Sequence, residues 1–221
     1  MSLGRRLVIV GADAFGQEVW HWSNDIASDS KDWDSVVFIN DEIKAAQKEL
    51  YNANISSHII STIDDYIPEY SDICICSIVN PNLKLDIVEK LKVRGVKFTN
   101  VIHPTAIIGI GCRLGTGIVL GPYVVTTVNV SIDSHVIVGV ASSIGHDAKI
   151  GEGVTIGSHC DITGYCEIQR GTLIGSGASA LPRSIIEEYS VVCAGSVVLK
   201  RVRANKIVMG NPAYHVDKTV N

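Results

Sequence analysis

The sequence is short of several things, and each shortage excludes a class of protein. It has no basic block: 19 basic and 23 acidic side chains leave a formal net charge of −4 over 221 residues. Binding nucleic acid needs a concentrated cationic face, so no nucleic-acid partner is expected. No apolar run reaches the about 18 residues that cross a bilayer, and the N-terminus carries no apolar segment with a cleavage site. The expectation is a cytoplasmic protein with no membrane insertion. Metal-type cysteine pairs are missing as well. The six cysteines, Cys74, Cys76, Cys112, Cys160, Cys166 and Cys193, read as reduced thiols in packed positions.

What is present falls into two parts with different grammar. Residues 102–203 hold 14 of the 42 charged side chains but 15 of the 20 glycines. That shift puts a boundary near residues 99–102, giving domains of 1–99 and 100–221. The first part alternates strand and helix signals. Leu7-Val8-Ile9-Val10 is a short buried-strand run closed by Gly11, and Phe15, Val19, Trp22 and Ile26 follow at helical spacing. Val36-Val37-Phe38-Ile39 and Ile73-Cys74-Ile75-Cys76 are further strands. Asn80-Pro81 opens a helix whose buried face is expected to be Leu83, Ile87, Val88 and Leu91, ended by Gly95. This alternation predicts a small parallel α/β sheet.

The second part repeats every six residues. Steps of six from Ile102 to Val198 meet Ile, Leu or Val at fifteen of seventeen positions, the exceptions being Thr126 and Ala180. The next residue is glycine eight times, from Gly109 and Gly115 to Gly175, where it is expected to free the backbone for a tight corner. A period of six fits neither a helix nor a long strand. It predicts a β-solenoid of short flat strands, each repeat burying one aliphatic side chain in an inner column. His135, His146 and His159 lie 11 and 13 residues apart. Neither interval is a multiple of six, so they share no column and no metal site is expected.

The hexad run resembles the left-handed parallel β-helix acyltransferases, with the handedness taken from that family because crossover rules alone favour right-handed connections. Over nearly its full length the chain is similar to one branch, the sialic-acid/bacillosamine-type sugar acetyltransferases. The likeness rests on Val10-Gly11-Ala12 with Gly16, Phe38-Ile39-Asn40-Asp41, Val101-Ile102-His103-Pro104-Thr105-Ala106, Gly145-His146-Asp147 and Met209-Gly210-Asn211-Pro212-Ala213. It implies an α/β domain followed by a left-handed β-helix, a homotrimer, acetyl-CoA as co-substrate and no tightly bound cofactor. The implied reaction is N-acetylation of a nucleotide-linked amino sugar for bacterial surface-glycan synthesis. Sugar O-acetylation is the alternative within the enzyme class, and a non-catalytic nucleotide-sugar-binding scaffold the alternative outside it.

Amide formation from a thioester needs a base to take the amine proton, and histidine is suited to that near neutral pH. Of seven histidines only His146 is followed directly by a carboxylate, Asp147. The resemblance implies that His146 is the general base and Asp147 its partner. It further implies acetyl-CoA contacts at Thr155, Gly164, Ser176 and Ala194, the Gly164 amide meeting the acetyl oxygen. Thr155 stands where the family often has a second histidine, and Gly139 where it has asparagine. The implied nucleotide-sugar contacts are Asp13, Ala14, Phe15, Asn40, Asp41 and Val79. Phe15 and Val79 occupy positions that are histidine and glycine in many relatives. The loop from Gly11 to Gly16 is not G-x-G-x-x-G, which argues against a dehydrogenase.

Overall fold

The computed structural model describes residues 4–216. Its first part is a four-stranded parallel sheet of β1 (Arg6–Val10), β2 (Ser35–Ile39), β3 (Ile59–Ser61) and β4 (Asp72–Cys76), in the order β3-β2-β1-β4. Helices α1 (Ala14–Asp25), α2 (Ile43–Asn52) and α3 (Pro81–Val93) connect or follow the strands. Alternation along the strands assigns the two faces. Leu7, Ile9, Phe38 and Ile75 pack with Val19 and Trp22 of α1 and Leu50 of α2. Val8, Val10, Ile39 and Cys74 face Ile87, Val88 and Leu91 of α3. Strands β1, β2 and β4 are therefore apolar on both sides, the pattern of a covered parallel sheet.

The caps explain where the helices begin. Asp13 accepts from the Gly16 amide at 3.1 Å to start α1, and Asn80 accepts from the Leu83 amide at 3.1 Å ahead of Pro81 to start α3. One expectation for α3 is corrected. Leu83 is exposed, and Lys84 and Leu85 are buried in its place, because α3 turns that side toward the second part of the molecule rather than toward the sheet. There Leu85 covers Gly153, where an added Cβ would lie 2.6 Å from it.

That second part is a parallel β-helix with three sheets, one for each face of a triangular prism. Strands two residues long stack at intervals of 18, as in Ile137↔Thr155 and Val138↔Ile156. The second residue of each strand points inward, so Leu120, Ile132, Val138, Ile144, Ile156 and Ile168 form a continuous core. Face 1 carries Val101–Ile102 and its stacked successors, face 2 Ile107–Ile108, and face 3 Arg113–Leu114. The outward column of face 1 packs Val101, Val119 and Ile137 against the α/β part, beside α1. After Val197–Val198 the spacing shortens: Ile185 pairs with Arg201 and Val191 with Ile207, intervals of 16. The chain then turns back, and Tyr214–Val216 pairs antiparallel with Ile207–Met209.

The glycine after each inward aliphatic has a different cause from the one expected. Positive φ occurs two residues later, at Asn129 (58°), His135 (61°), Asp147 (58°) and Tyr165 (59°) as well as at Gly111, Gly117 and Gly153. The earlier glycine is imposed by close approach between coils. A Cβ at Gly145 would stand 2.6 Å from the Gly164 nitrogen, and one at Gly157 2.7 Å from the Ser176 nitrogen. Neither neighbouring group is a flexible side chain that could yield.

Candidate active site

His146 and Asp147 sit at the corner between faces 2 and 3, after the strand Ser143–Ile144. The left-handed conformation of Asp147, stabilised by its amide bonding the Val128 carbonyl at 3.0 Å, turns its carboxylate back onto its neighbour. Asp147 Oδ2 lies 3.0 Å from His146 Nδ1. With that nitrogen donating, Nε2 keeps its lone pair free to accept a proton. The bond to His146 holds the Asp147 carboxyl below its usual range, helped by Asn129, whose Nδ2 donates at 3.4 Å, and by Tyr165. The imidazole side chain is 53% exposed, so a substrate can reach it.

Gly164, one coil on, lies directly beside the ring. A Cβ there would stand 2.5 Å from His146 Nε2. Glycine is therefore required for the imidazole to occupy this position, and an alanine at 164 would displace the ring whatever the amide does. Among the described residues, none of the ladder hydrogen bonds at this corner uses the Gly164 amide; its carbonyl accepts from the Arg183 amide at 3.1 Å.

The remaining candidates gather elsewhere. A cavity of about 330 Å³ between α1 and the corner of faces 1 and 2 is lined by Phe15, Trp22, Val79, Gly139, Thr155 and Ser176, among others. It brings together positions expected to hold nucleotide sugar and positions expected to hold acetyl-CoA. Gly139, Gly157 and Gly175 are stacked along its far wall, between residues such as Val140, Ser158 and Ser176. Ala194 follows Ser176 at the same corner, its nitrogen 2.5 Å from where a Gly175 Cβ would be. Phe15 and Trp22 meet edge to face at 5.6 Å, giving the cavity an aromatic side.

Thr155 is 4% exposed, and its hydroxyl accepts from Lys84 Nζ at 2.8 Å. Lys84 also donates to the Val154 carbonyl at 3.3 Å and is fully buried. Burial pushes its amine down to about 7, with Cys76 nearby acting weakly the other way. The nucleotide-sugar candidates have structural tasks too. Asp13 caps α1, Asn40 Oδ1 accepts from the Ala12 amide at 3.1 Å, and Asp41 Oδ1 accepts from the Ile63 amide at 2.9 Å. Ala14 is the exposed first residue of α1. Asp13 also leaves a carboxylate at the helix N-terminus, where a phosphate would otherwise be favoured.

Three residues of the His146 corner were not anticipated from the sequence: Asn129, Tyr165 and Arg183. They stand 18 before, 18 after and 36 after Asp147, so the coil length alone could have found them. Lys84 could have been suspected from its partner. Thr155 is the polar member of an outward column otherwise made of Val101, Val119, Ile137, Leu173 and Val191. All six cysteines are free, and His135, His146 and His159 lie at three different corners.

No protein-family model and no curated protein matches the chain. Solved structures do. The acetyltransferase domain of PglB from Neisseria gonorrhoeae FA1090, in complex with acetyl coenzyme A, aligns with a TM-score of 0.81 and 21% identity over 96% of this chain and 100% of its own. PerB from Caulobacter crescentus, in complex with CoA and GDP-perosamine, gives a TM-score of 0.85 and 19% identity, covering 98% of this chain and 99% of its own. WeeI from Acinetobacter baumannii AYE gives 0.80 and 25%, covering 96% and 100%. The chain thus shares the fold of the acetyl coenzyme A-bound PglB domain and of PerB along nearly its entire length, in agreement with the acyltransferase resemblance of its hexads.

Proposed function

We infer that the protein is an acetyl-CoA-dependent N-acetyltransferase that modifies a nucleotide-linked amino sugar. The observation that carries this reading is the His146–Asp147 pair set over Gly164, on a fold shared with proteins solved with acetyl coenzyme A or with CoA and GDP-perosamine. In the proposed reaction the sugar amine attacks the thioester carbonyl carbon while His146 Nε2 takes its proton. The Gly164 amide is the donor for the oxyanion that develops, where a preorganised N–H acts most strongly. Collapse of the tetrahedral intermediate breaks the C–S bond, and the proton held by His146 goes to the departing CoA thiolate. Asp147 stays ionised and stabilises the imidazolium in between.

In this reading the α/β domain, residues 1–99, receives the nucleotide sugar with Asp13, Ala14, Phe15, Asn40, Asp41 and Val79. The β-helix, residues 100–221 and left-handed as in the family, receives acetyl-CoA with Thr155, Gly164, Ser176 and Ala194. Its setting would be the cytoplasm, in bacterial surface-glycan synthesis. Incubation with acetyl-CoA and a panel of nucleotide-linked amino and neutral sugars, following release of the CoA thiol, tests it. Turnover with an amino sugar and none with its hydroxyl counterpart is expected. The reverse preference would make it an O-acetyltransferase, and no thiol release with any sugar would leave a binding scaffold.

A homotrimer completes the proposed site. The α/β part covers face 1, whereas His146 is at the corner between faces 2 and 3, the prism edge opposite. A sugar held by one chain's α/β domain would therefore need the His146 edge of a neighbouring chain. Face 2 is suited to contact: its outward column is Ile107, Val125, Ser143, Asp161, Ser179 and Val197, with one charge, against Arg113, Ser131, Lys149, Glu167, Ile185 and Arg201 on face 3, with four. Light scattering should give three times the chain mass of 23.7 kDa. A monomer at micromolar concentration would remove the shared site.

A further inference from the structure

The His146 corner is built as a ladder. Asn129, Asp147, Tyr165 and Arg183 occupy the same corner position in four successive coils, and three of the four bear on His146 or its carboxylate partner. The Tyr165 ring meets the imidazole edge to face at 5.0 Å and 88°, and its amide donates to the His146 carbonyl at 2.9 Å. The Arg183 guanidinium lies 4.5 Å from the centre of the Tyr165 ring. Tyr165 holds a φ of 59°, a conformation uncommon for a bulky residue. Corner side chains in this conformation lean back over the preceding coil. Tyr189 does so over Gly171, and the Asn129 amide over Gly111. For Tyr165 the preceding corner is Asp147 itself.

Resting on the reading of His146 as the base, we propose that Tyr165, clamped by Arg183, is a positioning residue that fixes the imidazole over Gly164. Among the described residues Tyr165 is the aromatic ring that meets the imidazole. Gly164 offers only backbone, and the ring is half exposed, so without Tyr165 it can rotate away from the Gly164 amide. Misplacing a reacting group by about 1 Å costs up to about 10²-fold in rate. The arginine over the ring face adds a cation–π contact that holds the phenol in place. The charged and titratable groups facing His146 are Asp147 at its own corner, with Tyr165 and Arg183 from the following coils. The preceding coil contributes uncharged Val128 and Asn129.

Two variants separate positioning from general support. Tyr165→Leu should lower kcat by about 10–100-fold with both KM values within about 2-fold of wild type. Tyr165→Phe keeps the ring and should recover most of that loss. A Tyr165→Leu enzyme with wild-type kcat overturns the proposal while His146→Ala is inactive, and so does a Tyr165→Phe enzyme that loses as much kcat as the leucine variant. If His146→Ala itself turns over normally, the base assignment fails instead, and a crystal structure of Tyr165→Leu with the imidazole unmoved over Gly164 still decides against Tyr165. Should the leucine variant lose its fold, Arg183→Ala takes its place: a lowered kcat at unchanged KM is expected, and a wild-type kcat overturns the clamp.

Discussion

Replacing His146 by alanine should lower kcat by about 10²–10⁴-fold, the usual contribution of a positioned general base. Both substrates should still bind, because the cavity lined by Phe15, Val79, Thr155 and Ser176 is at another corner of the prism. The loss should therefore appear in kcat with little change in either KM. Asp147→Asn should cost less. The amide can still face Nδ1, but it cannot stabilise the imidazolium that forms when the proton arrives. Steady-state kinetics on the two variants check this. Wild-type turnover by His146→Ala would place the base elsewhere.

The second large effect is on stability and comes from Lys84. Its amine is buried among α3, Val154 and Thr155, with no carboxylate partner among the described residues, and its pKa falls to about 7 from 10.5. A lysine with a folded pKa below its unfolded one binds fewer protons folded than unfolded between pH 7 and 10.5. Through that window its contribution to stability rises with pH, and below pH 7 the full cost of burying the charge is present. Substituting both partners, Lys84→Met with Thr155→Val, removes the charge and leaves no orphaned hydroxyl. The double variant should be more stable by about 1–4 kcal/mol at pH 6, with a gain in Tm of about 2–4 °C per kcal/mol. The advantage should shrink as pH approaches 10. Thermal melts of the two proteins across pH check it, and parallel curves would mean that Lys84 is neutral or compensated throughout.

The β-helix was legible because a coil of 18 residues divides into three equal hexads, so one column of Ile, Leu and Val marks fifteen of the seventeen strands from Val101–Ile102 to Val197–Val198, Thr126 and Ala180 standing in the other two. The corners were less legible. The glycine pattern is visible in sequence, but whether a glycine serves a dihedral or a close approach depends on the next coil, and Gly145 and Gly157 proved to be cases of approach. In the α/β part, β1, α1, β2, β4 and α3 follow from their patterns, whereas α2 and β3 give little signal. Glu42, at the start of α2, makes no side-chain cap, and β3 is three residues with none of them buried. Lys84 reads locally as a solvated helix position in the run Asn82-Leu83-Lys84-Leu85-Asp86. Only the docking of α3 on face 1, a contact about 70 residues distant in sequence, makes it a buried one. The His146–Asp147 pair was visible as adjacent letters and Gly164 was expected beside it, whereas Asn129, Tyr165 and Arg183 went unnoticed because they are neighbours only across coils.

The reversed final strand also limits growth. A stack of identical coils has two edges that could each accept another coil, so any such prism risks joining end to end into a fibre. Here the repeat loses two residues after Val198, and the edge of face 1 is then occupied by Tyr214–Val216 running the opposite way. A second molecule offering its first coil would find the wrong step and the wrong strand direction at that end. Lateral association through the flat faces remains open, whereas axial stacking on face 1 meets a change of phase and polarity set within residues 199–216.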